Sequence, residues 1–195
     1  MTTVTTRSQI ALLAAGLLSA PALGGITITQ LVKQGDAVAG VGNVTTVESV
    51  SVNDNGDWLV ECDTDNADVN ADAVVLKNGA VAFRENLALV DPAGGNISSF
   101  DSVRIAPNGH AGWNLFLRNL TTSTDSGVFF NDVLVIQESD IATAPQFTAG
   151  TPYMGCFEVR MNASNQMMAV STIDDPNTAT TVDRALVLMN YDSVN

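Results

Sequence analysis

The chain has few of the residues that metal sites and nucleophilic catalytic sites need. Its 195 residues include one histidine and two cysteines. A zinc site uses several Cys or His ligands, so this composition disfavours one. A Ser-His-Asp arrangement would depend on His110 alone, and the sequence has no Gly-x-Ser-x-Gly motif. His110 follows the turn residues Asn108 and Gly109, so we interpret it as a surface histidine and expect no enzyme activity.

Basic residues are also scarce. The chain has 8 Lys and Arg against 21 Asp and Glu, for a net charge of −13. Such a chain repels phosphate backbones and anionic lipids, so we expect no nucleic acid among its partners. Charged residues make up 15% and hydrophobic residues 46%, which is typical of a folded protein. The main interpretation is an acidic surface that keeps an exported protein soluble; calcium and cationic partners are the alternatives.

A membrane-spanning apolar run is missing as well. The longest run covers residues 10–23, about 14 residues, and is too short to cross a bilayer. Arg7 precedes it, and small residues at Ala20 and Ala22 suit a signal peptidase. The pattern predicts a signal peptide over residues 1–24, with no membrane insertion after its cleavage. The mature chain, residues 25–195, is then secreted, periplasmic or at the cell surface.

A strand-turn-strand pattern occurs three times in the mature chain. Val52, Ile105 and Met161 mark it, with spacings of 53 and 56 residues. A period near 50 is typical of arrays and β-propellers. Asn, Asp and Gly supply the turns between the strands. The predicted repeat units are residues 47–95, 100–150 and 156–195.

A second hairpin follows the first in each unit. Asn78 in the first unit aligns with Asn131 in the second, and Asn190 is predicted at the same turn of the third. Residues 26–42 resemble a fourth strand plus connector, so they are predicted to act as a closing strand. No segment after the signal peptide has helical periodicity. The predicted fold class is therefore all-β, with propeller-type blades of four antiparallel strands.

Three units are too few for an ordinary propeller of four to eight blades. We expect a partial or truncated propeller, that is, a fragment of a longer repeat protein. A small three-unit closure or open array is one alternative, and a ring built from two or more chains is another. A fragment would leave unpaired strand edges and apolar faces, which favour self-association.

The turn residues carry a resemblance to known proteins. Residues 106–109 resemble the Ser-Pro-Asp-Gly turn of TolB-like propeller repeats. Residues 52–57, 129–132 and 34–36 resemble the blades of exported repeat proteins of environmental bacteria, notably planctomycetes. The resemblance covers residues 26–192 and implies an exported β-propeller-type protein. It implies no catalytic residues.

The best candidate metal site is an acidic loop over residues 63–72. Four carboxylates there are predicted as possible calcium ligands: Asp63, Asp65, Asp68 and Asp72. Their spacing departs from the EF-hand pattern, so a solvated loop is the alternative interpretation. Trp58, Trp113 and Phe116 are expected in the core rather than as sugar-stacking platforms.

Cys62 and Cys156 could form one disulfide in an oxidising compartment. They do not occupy matching repeat positions, so two separate buried thiols are the main interpretation. Taken together, these patterns predict a non-catalytic exported interaction scaffold with a protein or polysaccharide partner. A calcium-dependent carbohydrate-binding module is the alternative function, and a hydrolase that uses paired carboxylates such as Glu61 or Glu85 is third.

Overall fold

The structure is a computed structural model that describes residues 27–178 and 183–191. The predicted signal peptide, residues 1–24, lies outside the described residues. Every regular element of the described ranges is a β-strand, which confirms the all-β prediction. None of these residues forms a helix that could cross a membrane.

Residues 31–178 and 183–191 contain three antiparallel sheets, which we call the first, second and third sheets in chain order. The first sheet contains β1 (Ala37–Val38), β2 (Gly42–Val52), β3 (Trp58–Thr64), β4 (Ala73–Lys77) and β5 (Ala80–Arg84). The second contains β6 (Asn96–Ile105), β7 (Ala111–Arg118), β8 (Ser126–Phe130) and β9 (Val133–Gln137). The third contains β10 (Tyr153–Met161), β11 (Gln166–Ile173) and β12 (Asp183–Asn190). Sequential strands are neighbours in every sheet.

The long hairpins of the three sheets share one turn geometry. Gly56, Gly109 and Asn165 have φ angles of 83°, 85° and 57° at the same point of each turn. Glycine and asparagine tolerate this left-handed conformation, so Asn165 replaces the glycine of the other two turns. The pairs beside these turns are Val52–Trp58, Ile105–Ala111 and Met161–Met167. Positions counted from these pairs are called corresponding positions below.

The second hairpin is alike in the first two sheets. Asn78 and Asn131 have φ angles of 51° and 52°. Their side-chain oxygens accept the backbone N–H groups of Trp58 and Ala111, at 2.8 and 2.9 Å. Each asparagine therefore ties the second hairpin to the strand beside it.

The third sheet departs from the predicted alignment by one residue. Asn190 lies opposite Gln166 in the ladder, and Met189 lies opposite Met167. Met189 therefore corresponds to Asn78, and the prediction that Asn190 holds this position is wrong. Asn190 instead accepts a hydrogen bond from the side chain of Gln166, at 2.8 Å. An asparagine shared between repeats is therefore a weak guide to register, because a shift of one residue between repeats moves it out of the corresponding position.

The sheets pack on one another in chain order. β6 contacts β2 and β3, and β10 contacts β6, β7 and β8. Each contact encloses an apolar core. A side chain at Gly112 would place its Cβ 2.6 Å from Sδ of Met161 and 3.0 Å from Cγ1 of Val159, so the second and third sheets approach closely there. The strands β2, β6 and β10 are thus held at the sheet-to-sheet contacts.

Only part of the predicted closing segment, residues 26–42, is in strands. β1 and the start of β2 lie within it. Residues 31–33, which the structure describes, lie outside its strands. Val32 nevertheless packs against the apolar core of the first sheet, beside Val38 and Val44.

Candidate functional site

One strand from each sheet, β2, β6 and β10, lines one shallow cleft of about 300 Å³. β2 contributes one residue, β6 three and β10 two. The lining residues are Ser49, Asp101, Ser102, Arg104, Phe157 and Glu158. Because these strands belong to three different sheets, the packing of the sheets sets the shape of the cleft.

Arg104 supplies positive charge to the cleft. Its Nη2 lies 3.5 Å from Oε1 of Glu158, and its Nη1 donates to the carbonyl of Val103 at 2.6 Å. Arg160 also contacts Glu158. Burial and then the charge of Arg160 lower the pKa of Arg104, although a guanidinium stays charged at neutral pH. Two guanidinium groups share one carboxylate here, so the pair retains positive charge for an anionic group of a ligand.

Asp101 supplies an exposed carboxylate. Its Oδ2 accepts Nδ2 of Asn114 at 2.8 Å, and the same amide nitrogen donates to the carbonyl of Cys156 at 2.7 Å. Oδ1 of Asn114 is buried and has no hydrogen-bond partner among the described residues. An unpaired buried acceptor costs about 1–3 kcal/mol, so this amide is one of the less satisfied groups behind the cleft.

Glu61 lies buried on β3, close to the carboxylates of β2 and β6. Burial raises the pKa of Glu61 to about 7. A hydrogen bond to Ser49 opposes this rise, and the charges of Glu48, Asp63 and Asp101 add to it. With its pKa near 7, Glu61 has both of its protonation states populated near neutral pH.

The serine hydroxyls at the sheet contacts hold the backbone. Oγ of Ser102 accepts the N–H of Val159 at 3.1 Å and so ties β6 to β10. Oγ of Ser51 accepts the N–H of Ile105 at 3.1 Å and ties β2 to β6. These serines act as structural acceptors, and neither is hydrogen-bonded to a histidine.

His110 lies in the turn of the long β6–β7 hairpin, where neighbouring residues surround it. Its Nδ1 lies 2.9 Å from Nδ2 of Asn131, and its ring packs against Phe130 at a centroid distance of 5.0 Å. His110 is half-buried, which differs from the exposed surface position that the sequence suggested. The contact with His110 supports Asn131, the turn residue whose side chain accepts the backbone N–H of Ala111 in β7.

The two cysteines are separate, free and buried. Burial raises the pKa of both thiols, Cys62 and Cys156, to about 11. A thiol with so high a pKa is a poor nucleophile at neutral pH. The interpretation as two separate buried thiols is confirmed, and a disulfide between them is wrong.

The four predicted calcium ligands have different local partners. Asp65 accepts the backbone N–H and the side chain of Asn43, at 2.6 and 2.8 Å. Asp68 accepts the backbone N–H of Asn70 in its own turn. Asp63 lies on β3, opposite Ala73. Across residues 27–178 and 183–191, no three acidic, His or Cys side chains group in a way that could hold a metal ion.

Asp72, the fourth of these residues, belongs to a pair of carboxyl groups. It contacts Glu85, whose pKa is raised by burial and by Asp72. Asp125 and Glu138 form the matching pair in the second sheet, where burial and then Asp125 raise the pKa of Glu138 to about 6. The recurrence of the pair at corresponding positions indicates a structural role at the end of each sheet.

The aromatic residues divide between core and surface. Trp113 is fully buried, and Trp58 packs against the core of the first sheet. These two confirm the core prediction, whereas Phe116 is exposed. Phe157, which lines the cleft, carries the guanidinium of Arg184 over its ring at 5.4 Å from the centroid. Phe157 is 37% exposed, so the part of its ring that Arg184 leaves open can contact a ligand in the cleft.

No protein-family model matches this chain, and no curated protein or solved structure matches it either. The assignment of function therefore rests on the residues of the chain. Sequence patterns missed the cleft because they pointed to the acidic loop. The one available signal was that Ser49, Ser102 and Glu158 each lie three residues before Val52, Ile105 and Met161, the residues that mark the repeat.

Proposed function

We propose that this chain is a non-catalytic interaction scaffold, exported to the envelope or beyond, whose sheets are propeller-type blades. Two observations support the assignment as blades: the sheets pack in chain order, and their turns agree at corresponding positions. Propellers are built from such four-stranded antiparallel sheets. The third sheet has three described strands, and the proposal treats it as a blade whose fourth strand comes from elsewhere.

The cleft on β2, β6 and β10 carries the functional part of this proposal. It combines a guanidinium, a carboxylate and an aromatic ring on a rigid framework, a combination suited to binding. Arg104 would bind an anionic group of the partner. Asp101 would accept from its hydroxyl or amide groups, and Phe157 would pack on an apolar segment or a sugar face. The partner is accordingly a protein segment or a polysaccharide.

Binding to peptide and glycan arrays tests this proposal. Arg104→Ala and Asp101→Asn should weaken binding to any retained probe by about tenfold or more, because each removes a charge-assisted hydrogen bond. Arg84→Ala is the matched control, since Arg84 is an exposed arginine on β5, away from the cleft lining. The proposal fails if no probe is retained, or if the cleft variants and the control bind alike.

Calcium distinguishes the alternative function from this one. The same arrays are probed in millimolar calcium and in excess chelator. The scaffold proposal predicts equal binding, because the predicted ligands Asp63, Asp65, Asp68 and Asp72 have separate partners. Binding to glycans that disappears in chelator would support the calcium-dependent carbohydrate-binding module. Hydrolysis of a retained polysaccharide would contradict the non-catalytic assignment.

A further inference from the structure

The first sheet exposes apolar side chains that are buried elsewhere in the fold. Three valines on β2 are between 42% and 69% exposed. They are Val47, Val50 and Val52. The corresponding residues of β6 are at most 8% exposed, because they pack on the first sheet: Phe100, Val103 and Ile105. We call the three valines the leading face of the first sheet, the face that would meet a preceding sheet.

The third sheet exposes apolar side chains on its opposite face. Met168, Leu186 and Leu188 are between 40% and 67% exposed. Leu186 corresponds to Val75 and Val128 in the first two sheets, and both of those valines are fully buried against the next sheet. We call the three exposed residues the trailing face of the third sheet, the face that would meet a following sheet.

The third sheet also has an unpaired edge. β4 pairs with β5 and β8 pairs with β9, whereas no strand among the described residues pairs with the outer edge of β12. Exposed edges of this kind accept an added strand. The missing element corresponds to a short strand such as β9.

Residues 31–36 carry the geometry of such a strand's end. The N–H of Lys33 donates to Oδ2 of Asp36 at 2.9 Å, and the N–H of Gln137, the last residue of β9, donates to Oδ2 of Asp140 at 2.7 Å. Gly35 and Ser139 follow with positive φ angles of 88° and 73°. The turn after β9 is therefore reproduced after Lys33, although residues 31–33 have no strand beside them.

Val32 strengthens this comparison. It packs on the core of the first sheet, as Ile136 of β9 packs on the core that it shares with the third sheet. Residues 29–33 thus correspond in sequence to β9, and Val32 contacts the sheet that follows it in the same way. β9 pairs with β8, which corresponds to β12 of the third sheet. Among the described residues, no strand of this kind pairs with residues 29–33.

We propose that a second copy of this chain covers both exposed faces. The trailing face of the third sheet in one copy packs on the leading face of the first sheet in the other. Residues 29–33 of that other copy pair with β12 as its fourth strand. The strand registers of the inner sheets then place Val32 opposite Leu186, because Phe83 lies opposite Val75 and Ile136 opposite Val128.

A second copy fits better than the same copy. Within residues 27–178 and 183–191, the main contacts between strands link the first sheet to the second and the second to the third, and no contact of that extent links the third to the first. Val32 is held on the first sheet of its own copy. Two such junctions related by a two-fold axis close a ring of about six sheets, within the range of four to eight that propellers use.

The charges at this junction favour pairing. Inside the chain, Asp72 meets Glu85 and Asp125 meets Glu138, so each sheet end holds two carboxyl groups. At the proposed junction the corresponding residues are Asp183 and Gln34. The amide removes one of the two negative charges and can donate to the other. Because each copy carries a net charge of −13, association should strengthen with added salt.

Sedimentation velocity of the purified chain tests the proposal. The expected species has about twice the chain mass of 20.4 kDa. Val50→Asp on the leading face and Leu186→Asp on the trailing face should each weaken association by about 100-fold or more, because a charge would be buried without a partner. Val90→Asp is the matched control, since Val90 is exposed on the connector between β5 and β6 and should leave the dimer intact.

Mixing the two variants tests the head-to-tail arrangement. Each variant keeps one intact face, so an equimolar mixture of Val50→Asp and Leu186→Asp should restore a dimer with a single junction. Circular dichroism checks that both variants stay folded, which their exposure in the single chain predicts. A wild-type monomer at all concentrations would overturn the proposal. So would a dimer that either variant leaves intact, or a mixture that stays monomeric.

Discussion

The same substitution at three corresponding positions should have three different costs. Val50, Val103 and Val159 lie on β2, β6 and β10, at the same place relative to the hairpin turns. Val103 and Val159 are fully buried between sheets, and Val50 is 66% exposed. Replacing each with alanine changes strand propensity equally, so the comparison isolates the packing of one sheet on another.

The expected loss of unfolding free energy follows from the number of carbon atoms that each substitution removes. Valine to alanine deletes two carbons, worth about 0.8 kcal/mol each when buried, and the remaining cavity adds to this cost. Val103→Ala and Val159→Ala should therefore lower the free energy of unfolding by about 2 kcal/mol. Val50→Ala should lower it by about 0.5 kcal/mol, because most of its side chain is already in contact with water.

Urea unfolding at low protein concentration measures these differences. Dilution keeps the association of copies from contributing to the stability of Val50→Ala. In thermal unfolding the two buried variants should melt about 4–8 °C below the wild type. Equal losses at all three positions, or no loss at Val103, would refute the packing of the sheets in chain order.

Three further predictions address the turn, the buried acid and the thiols. Asn131→Ala should lower the free energy of unfolding in urea by about 2 kcal/mol, because it removes a hydrogen bond made by a residue in the left-handed conformation. Asn190→Ala should lower it by less than half as much. Equal losses would contradict the corrected register of β12. The pKa of Glu61 is raised to about 7 from 4.5, so its contribution to stability is lost as pH rises between those values. Glu61→Gln should then match the wild type near pH 4 and be about 1–2 kcal/mol more stable at pH 8, after allowance for solvent screening; a constant difference across that range would show that Glu61 is not buried as described. Cys62 and Cys156 should resist alkylation at pH 8 by mass spectrometry until the chain is unfolded, and rapid labelling of the native chain would contradict their burial.

The strands were predictable because their signals are local. Turn residues such as Asn78 and Gly109 sit between apolar runs, and short-range sterics alone decide that such residues reverse the chain. The register of β12 was not predictable from Asn190, because the ladder with β11 fixed it instead. The strands β2, β6 and β10 also begin earlier than the pattern indicated, as at Gly42 of β2, since register shifts break the alternation of side chains.

The cleft could not be predicted because it depends on contacts between distant segments. Ser49, Asp101 and Phe157 lie more than 50 residues apart in the chain and meet only when the three sheets pack. The acidic loop looked like a site because its carboxylates are close in sequence. Asp65 instead bonds to Asn43, which is 22 residues away, and that partner is invisible to a local pattern.

The central claim is that the leading face of the first sheet and the trailing face of the third sheet correspond to the sheet-to-sheet contacts inside the chain and meet between copies. A disulfide between Val32→Cys and Leu186→Cys tests this most directly. Residues opposite each other in antiparallel strands have Cα atoms about 4.5–5.5 Å apart, within the range that a disulfide bridges. The native cysteines are buried and should not interfere.

The measurement is a non-reducing gel of the two single variants, alone and mixed, after mild oxidation. Head-to-tail pairing predicts a covalent dimer in the equimolar mixture, and it predicts none in either variant alone. Reduction should return the mixture to monomer. A mixture that stays monomeric, or a covalent dimer from Leu186→Cys alone, would contradict the proposed pairing of residues 29–33 with β12.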